Sequence, residues 1–372
     1  MLEEHLEYVD DRARLEQFKE ALARVIRPGD RVADVGCGSG VLGLMCLHAG
    51  AAQVCAIDST DMIEVARETL TRAYPNGSHL FIRGLSQRIE LPDRVDVAIC
   101  DHVGYFGFDY GVVDLLQDAR RRFLKPGGKV IPAKIKLRLG AIESPKCHDK
   151  VNGWAADGVP PELHWVRHHG VNQKYAFQLT ERDLLCEEAE LGCIDLQQDN
   201  PEFYTWNVEM RVTRDGVMHG LAGWFECELA EGVWMTNSPV SQRAIRRPQA
   251  FLPIDDAVQV KTGETIKATI MARPKDDLIA WTVEFPANGR RFSHSTWHGM
   301  FLAQDARIRA DPMRTPRLSG EGRARVIVLG YCDGQRSIQE IEQAVRRDYP
   351  DLFPSQEEIS RFVSHVLDRD TE

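Results

Sequence analysis

With 372 residues, the chain is long enough to build two or three hydrophobic cores. A composition that is 43% hydrophobic and 27% charged places it among globular proteins and away from disordered or membrane classes, and no apolar run reaches the roughly 18 residues that span a bilayer. The net charge of -10 argues against a nucleic-acid or acidic-membrane surface, because binding phosphates takes clustered positive charge, and it favours a neutral or basic partner.

In chain order, the start MLEEHLEYVDDRARLEQF is acidic and amphipathic and lacks the basic and apolar segments of a signal peptide, which predicts a cytoplasmic chain. Arg31–Val35, Gln53–Ile57, His79–Ile82 and Val95–Cys100 are short apolar runs separated by helical stretches, the pattern of a parallel sheet. Leu116–Leu124 followed by Lys125-Pro126-Gly127-Gly128 reads as a helix and its stop, and Lys129–Ile131 as the next strand. From Pro132 to Pro286 the runs become extended, as in Lys136–Ile142, Gly220–Leu229, Thr265–Met271 and Ile279–Phe285, which predicts a mainly β region. Gly153–Gln178 interrupts it as an irregular excursion. The histidine run His164–His169 within that excursion lacks the carboxylate or cysteine company of a zinc site, so it reads as a solvated loop and no metal is expected. His294–His298 reads as a last barrel strand with Trp297 turned inward. Near the end, Ser337–Glu340 and Ser355–Glu358 match capping boxes ahead of Ile338, Ile341, Val345 and of Ile359, Phe362, Val363, Val366, which predicts two amphipathic helices. The nine cysteines form no C-x-x-C pair and are expected to be free and mostly buried.

The chemistry concentrates in V-A-D-V-G-C-G-S-G (Val32–Gly40), where an apolar strand runs into Gly36, Gly38 and Gly40 before a helical stretch. Three missing side chains let a cofactor pass close over the turn. The next strand ends at Asp58, about 20 residues on, where a carboxylate can take both ribose hydroxyls. Asp34 and Ser59, beside these two features, complete the expected contacts. Dinucleotide turns read G-x-G-x-x-G, whereas the third glycine here follows two positions after the second. D-V-G-C-G-S-G resembles motif I of class I S-adenosylmethionine methyltransferases, and Lys125–Gly128 resembles their late L-K-P-G-G turn; both favour methyl transfer over a NAD(P) oxidoreductase.

Over roughly residues 2–300 the chain further resembles the protein arginine methyltransferase family. Leu2-Glu3-Glu4-His5-Leu6 is similar to the H-E-E-M-L helix, His48-Ala49-Gly50-Ala51 to the A-G-A after motif I, Asp101-His102-Val103-Gly104-Tyr105 to E-W-M-G-Y, and Val260–Glu264 sits in a barrel strand pair as in that family. The resemblance implies S-adenosylmethionine as cofactor, Arg12 on its carboxylate, Gln87 near its adenine, a β-barrel substrate domain, a dimerisation arm at 153–178 and hence a homodimer. The family clamps a guanidinium between two glutamates, whose carboxylates take planar N–H donors. Here Asp101 replaces the first, and Tyr110 stands at the second position with Asp109 its acidic neighbour. Ile245-Arg246-Arg247 replaces the family's threonine-histidine-tryptophan loop, and positive charge beside the acceptor would repel a guanidinium. Asp101 and His102 are therefore candidates to position and deprotonate an acceptor nitrogen, with Tyr105 and Tyr110 as pocket walls and Arg246 and Arg247 as substrate contacts.

The stretch Val326–Leu367, with Gly330-Tyr331-Cys332-Asp333-Gly334-Gln335-Arg336-Ser337-Ile338 at its centre, resembles PqqD-like domains. That resemblance implies recognition of a ribosomally made precursor peptide, whose leader pairs as an added strand; a structural helical cap is the competing reading. The expected organisation is an α/β Rossmann-like methyltransferase domain over 1–131, a β-barrel over 132–300 and a small helical PqqD-like module over 314–372. The expected activity is N-methylation of a peptide or protein side chain. The alternatives are arginine methylation by a shortened Asp101–Asp109 clamp and a silent cofactor-binding scaffold.

Overall fold

In this computed structural model, which describes residues 2–301, 313 and 315–371, the chain divides into two compact units, Met1–Phe301 and Leu302–Glu372. In the first, α1 (Leu2–Asp10) and α2 (Arg12–Val25) precede the alternation β1 (Arg31–Val35), α3 (Val41–His48), β2 (Gln53–Asp58), α4 (Met62–Ala73), β3 (Leu80–Arg83), β4 (Val95–Ile99), α5 (Val112–Arg122) and β5 (Leu124–Ile131). These strands form one parallel sheet in the order β3-β2-β1-β4-β5. The strand order reverses at β1, between β2 and β4, so the carboxyl ends of these three strands open a crevice of the kind in which α/β sheets hold ligands. Helix α2 buries Arg14, Phe18, Ala21, Leu22 and Val25, a stripe at three- and four-residue spacing. Lys125-Pro126-Gly127-Gly128, expected as a turn, instead lies within β5, whose pairing with β4 is irregular between Val95 and Val97. An edge strand with a bulge tolerates the proline and glycines that would break a central one.

The rest of the unit comprises β6 (Lys134–Ile142), α6 (Pro145–Asn152), α7 (Arg167–Gly170), β7 (Tyr175–Phe177), β8 (Ala189–Asp195), β9 (Tyr204–Arg211), β10 (Gly216–Ala230), β11 (Val233–Thr236), β12 (Gln249–Val260), β13 (Thr265–Arg273), β14 (Leu278–Phe285) and β15 (Arg290–Ser295). They make two antiparallel sheets, β7-β12-β10-β6-β8 with β11 on β10, and β15-β14-β13-β9. In place of a barrel closed by one continuous ladder, the sheets meet where β8 touches β9 and β12 touches β15. Burial alternates along β13 and β14, which is why their period-two pattern was readable. The boundary expected at 131/132 is no break in packing: one hydrophobic core joins Phe18 and Leu22 of α2, Ile57 of β2, Leu221 of β10 and Trp281 of β14. Trp297, expected to point inward, is 56% exposed because β15 ends at Ser295. The excursion holds short helical turns, with His164 Nε2 2.9 Å from the Val159 carbonyl and His169 stacked on Phe301.

Taken by itself, the second unit contains α8 (Gly320–Gly330), α9 (Ile338–Asp348) and α10 (Gln356–Asp370) around Val328, Ile341, Val345, Ile359 and Val363. Ser337 and Glu340 form the expected capping box, and the Ser355 hydroxyl accepts from the Glu358 N–H at 3.2 Å. Helix α8 is additional to the two expected; its three glycines weaken the helical signal. Among the described residues of this unit there is no strand, so strand addition as the PqqD resemblance implies finds no sheet edge there. Among the described residues no helix is long and apolar enough to cross a membrane.

Candidate functional site

At the carboxyl ends of β1, β2 and β4 lies a cavity of about 430 Å³, within the range of roughly 300–1,000 Å³ common for small-ligand sites. Its floor is the glycine turn. Gly36 and Gly38 have φ of 72° and 51°, in the left-handed region that only glycine enters without strain. A Cβ on Gly36 would come within 2.2 Å of the His102 ring, and one on Gly38 within 2.7 Å of the His5 ring. Two imidazoles thus rest directly on the turn, one from the end of β4 and one from α1.

Asp58, at the end of β2, is held from both sides. Its Oδ2 accepts from the Gly38 N–H at 2.9 Å, and its Oδ1 accepts from the Thr60 N–H and hydroxyl at 2.8 and 2.7 Å. A carboxylate has about four lone-pair sites, and three are taken, so Oδ2 has room for one ribose hydroxyl; Asp58 lines the cavity together with Ser59, Thr60, Ser86 and Gln87. The donor and acceptor set fits a ribose-bearing cofactor.

On the other side stands Asp101, whose side chain is 9% exposed. Its Oδ2 accepts from Arg14 Nε at 2.6 Å and from Arg247 Nη2 at 3.3 Å. Burial pushes its carboxyl up, but the guanidinium groups of Arg14 and Arg247 outweigh burial and hold it below the usual carboxylate range. Asp101 therefore stays anionic at neutral pH and is a weak base. Tyr8 packs against both arginines, 5.6 Å from the Arg14 and 5.3 Å from the Arg247 guanidinium. Asp101 Oδ1 and Arg247 Nη1 are buried without a hydrogen-bond partner.

Several expected site residues stand elsewhere. Arg12 is exposed and off the cavity; Arg14, two positions on, faces it. The helical stripe shared by Arg14, Phe18 and Leu22 was the signal that could have found it, since Arg12 shares its face with Glu16, Lys19 and Glu20. Asp34 is 1% exposed and accepts from the Gly43 N–H at 2.8 Å, so it ties β1 to α3 and does not line the cavity; burial pushes its carboxyl up to about 7. Gly40 caps α3 and packs on Ala66 of α4, away from the cavity. Asp109 cannot serve as a shortened clamp: its side chain is fully buried, with Oδ1 accepting from the Phe106 N–H at 3.0 Å and Oδ2 from Lys174 Nζ at 2.7 Å. Arg246 reaches Asp10 at 2.9 Å, while its N–H donates to Asp11. Tyr105 does not line the cavity, but its ring meets that of Tyr110, which does. Sequence reasoning missed Arg14, His5 and Tyr8 as cavity residues.

Residues 32–128 match a methyltransferase domain and residues 136–284 an arginine methyltransferase oligomerization subdomain. Protein arginine N-methyltransferase 1 of Dictyostelium discoideum is 25% identical over 282 residues, covering 73% of this chain and 82% of that protein. The Chlamydomonas reinhardtii protein of the same name is 28% identical over 289 residues, covering 73% and 80%. In fold, the chain is similar to Arabidopsis thaliana protein arginine methyltransferase 10, with a TM-score of 0.69 at 19% identity over 80% of this chain and 98% of that one. A Trypanosoma brucei PRMT1 enzyme-prozyme heterotetramer with AdoHcy gives the same TM-score and identity, over 78% and 96%.

Proposed function

This chain is a class I S-adenosylmethionine methyltransferase of the protein arginine methyltransferase family, with S-adenosylmethionine as its cofactor, and from that premise we propose that it methylates a side-chain nitrogen of a protein or peptide. The observation that supports this reading is the placement of Asp58 and Asp101 on one cavity, at the ends of β2 and β4. Asp58 would hold the ribose and Arg14 the cofactor's carboxylate. The bound cofactor supplies an electrophilic methyl carbon. Asp101, anionic and pinned, orients an acceptor N–H, and His102 is placed to take the proton released from nitrogen.

Among acceptors, arginine stands first by the names of the relatives, ahead of a side chain of a ribosomal precursor peptide, which rests on the resemblance of Val326–Leu367 alone. The exposed Trp154, Leu163 and Trp165 of the excursion support reading it as a contact with a second copy. The test is incubation with isotope-labelled methyl donor and a peptide panel carrying single arginine, lysine, glutamine or asparagine residues, read by mass spectrometry. Transfer to one side-chain nitrogen is expected. Tight donor binding with no transfer to any peptide or protein would instead favour a silent scaffold.

A further inference from the structure

Resting on the role given to Asp101 in the methyl transfer proposed above, we infer that Asp11 is a positioning residue of that reaction. Its buried carboxylate ties α2 to the loop between β11 and β12 and so registers the two guanidinium groups, of Arg14 and Arg247, that hold Asp101.

Asp11 separates α1 from α2 and is 5% exposed. Each of its oxygens takes one backbone N–H: Oδ1 that of Arg14 at 3.2 Å, as the N-cap of α2, and Oδ2 that of Arg246 at 2.7 Å, 235 positions away. A helix cap needs only the first of these bonds. Both lead to an arginine on Asp101. Arg14 stands in the first turn of α2, the turn that depends on the cap, and its Nε meets Asp101 Oδ2 at 2.6 Å. Arg246 turns its own side chain outward to Asp10, while Arg247 turns inward and reaches the same Asp101 oxygen at 3.3 Å. Holding the Arg246 amide therefore fixes where the Arg247 side chain starts. In the next turn of α2, Gln17 Nε2 donates to the Arg243 carbonyl at 2.8 Å, which keeps helix and loop together even when Asp11 is replaced. The register matters because burial pushes the Asp101 carboxyl up while Arg14 and Arg247 pull it down, and that attraction weakens with distance. The other groups facing Asp101 do not replace them: Asp34 of β1 is a carboxyl, the thiols of Cys100 and of Cys227 on β10 are pushed up by burial and stay neutral, and His102 follows it in the chain.

The test follows the Asp101 carboxyl by carbon NMR in the full chain carrying isotope-labelled aspartate, its signal assigned through Asp101→Asn. In the wild type it should titrate below the ordinary carboxylate range. Asp11→Ser keeps a hydroxyl that can cap α2 and is too short to take the Arg246 N–H as well, so the thermal midpoint should change little. The Asp101 titration should rise by about one pH unit or more, and turnover at saturating methyl donor and peptide should fall by roughly tenfold or more, since a misplacement of about 1 Å can cost about 10²-fold. An unchanged Asp101 titration in a folded Asp11→Ser makes Asp11 a helix cap and overturns the inference. If serine prevents folding, Asp11→Asn, with the same shape and one acceptor oxygen in place of two, carries the same comparison; loss of the fold in both variants makes Asp11 structural and overturns it too. So does a wild type whose Asp101 titrates in or above the ordinary range. Failure of the methyl-transfer reading has a different signature: the Asp101 titration shifts as expected, and the wild type transfers no methyl to any peptide.

Discussion

Arg12 and Arg14 stand two positions apart on α2, about 200° around the helix axis, and that angle separates a solvated side chain from one that touches the candidate reaction centre. Arg12→Ala is expected to change stability by no more than about 0.5 kcal/mol, as for other surface positions, and to leave cofactor affinity intact. Arg14→Ala removes a charge-assisted partner of roughly 1.5–3 kcal/mol and should weaken S-adenosylmethionine binding in calorimetry; equal effects of the two substitutions would remove Arg14 from the site. Asp34 yields a prediction in pH. Its carboxyl is raised to about 7 in the fold from an ordinary 3.8, so between those values the folded state keeps a proton that the unfolded state has lost. Its contribution to stability therefore falls as pH rises from about 4 to 7, by at most about 1.4 kcal/mol per pH unit. Asp34→Asn can still accept from the Gly43 N–H and has no proton to lose. In urea titrations the variant should gain stability over the wild type across that window; a difference independent of pH would show that Asp34 is not the titrating group.

At the scale of elements, the segment between β4 and α5 carries both the reacting groups and the device that shapes it. Asp109 turns inward, accepting from Phe106 and Lys174, while Asn237 Nδ2 donates to the Tyr105 carbonyl at 2.9 Å. Such contacts fix the backbone that presents Asp101 and His102 to the cavity. Lys174→Met strands a buried carboxylate, a change that costs roughly 3–5 kcal/mol when one partner of a buried pair is removed. A lowered denaturation midpoint with near-normal cofactor affinity is the expected result. Were Asp109 part of an acidic clamp, Asp109→Asn would abolish turnover at unchanged stability, which chemical denaturation and methyl-transfer assays on one preparation can distinguish.

For the molecule as a whole, two cores divide the work. The first, from Phe18 to Phe285, draws on every strand of the cavity's sheet; the second, with Val328, Ile341 and Val363 at its centre, is separate. Ending the chain at Phe301 should leave a folded protein that binds S-adenosylmethionine as the full chain does, since domains with their own cores fold alone. If the C-terminal unit recognises the peptide, turnover of the bound substrate should fall mainly through apparent affinity, by roughly 10²–10⁴ as for a lost tether. A truncated protein that methylates its peptide at the same apparent affinity would refute that role, whereas one that cannot fold would make the unit a structural cap.

The sequence by itself determined the parallel sheet, the glycine turn, Asp58 and Asp101, because these depend on local order: an apolar strand, then residues fixed at its carboxyl end. Period-two burial likewise made β13 and β14 legible, and serine caps revealed α9 and α10. Tertiary structure alone decided which charges meet. Arg14, Asp101 and Arg247 are separated by 87 and 146 positions in the chain, and whether Asp109 faces substrate or Lys174 depends on a partner 65 residues away. Pairing at that range is set by how sheets and helices pack, and no local pattern encodes it.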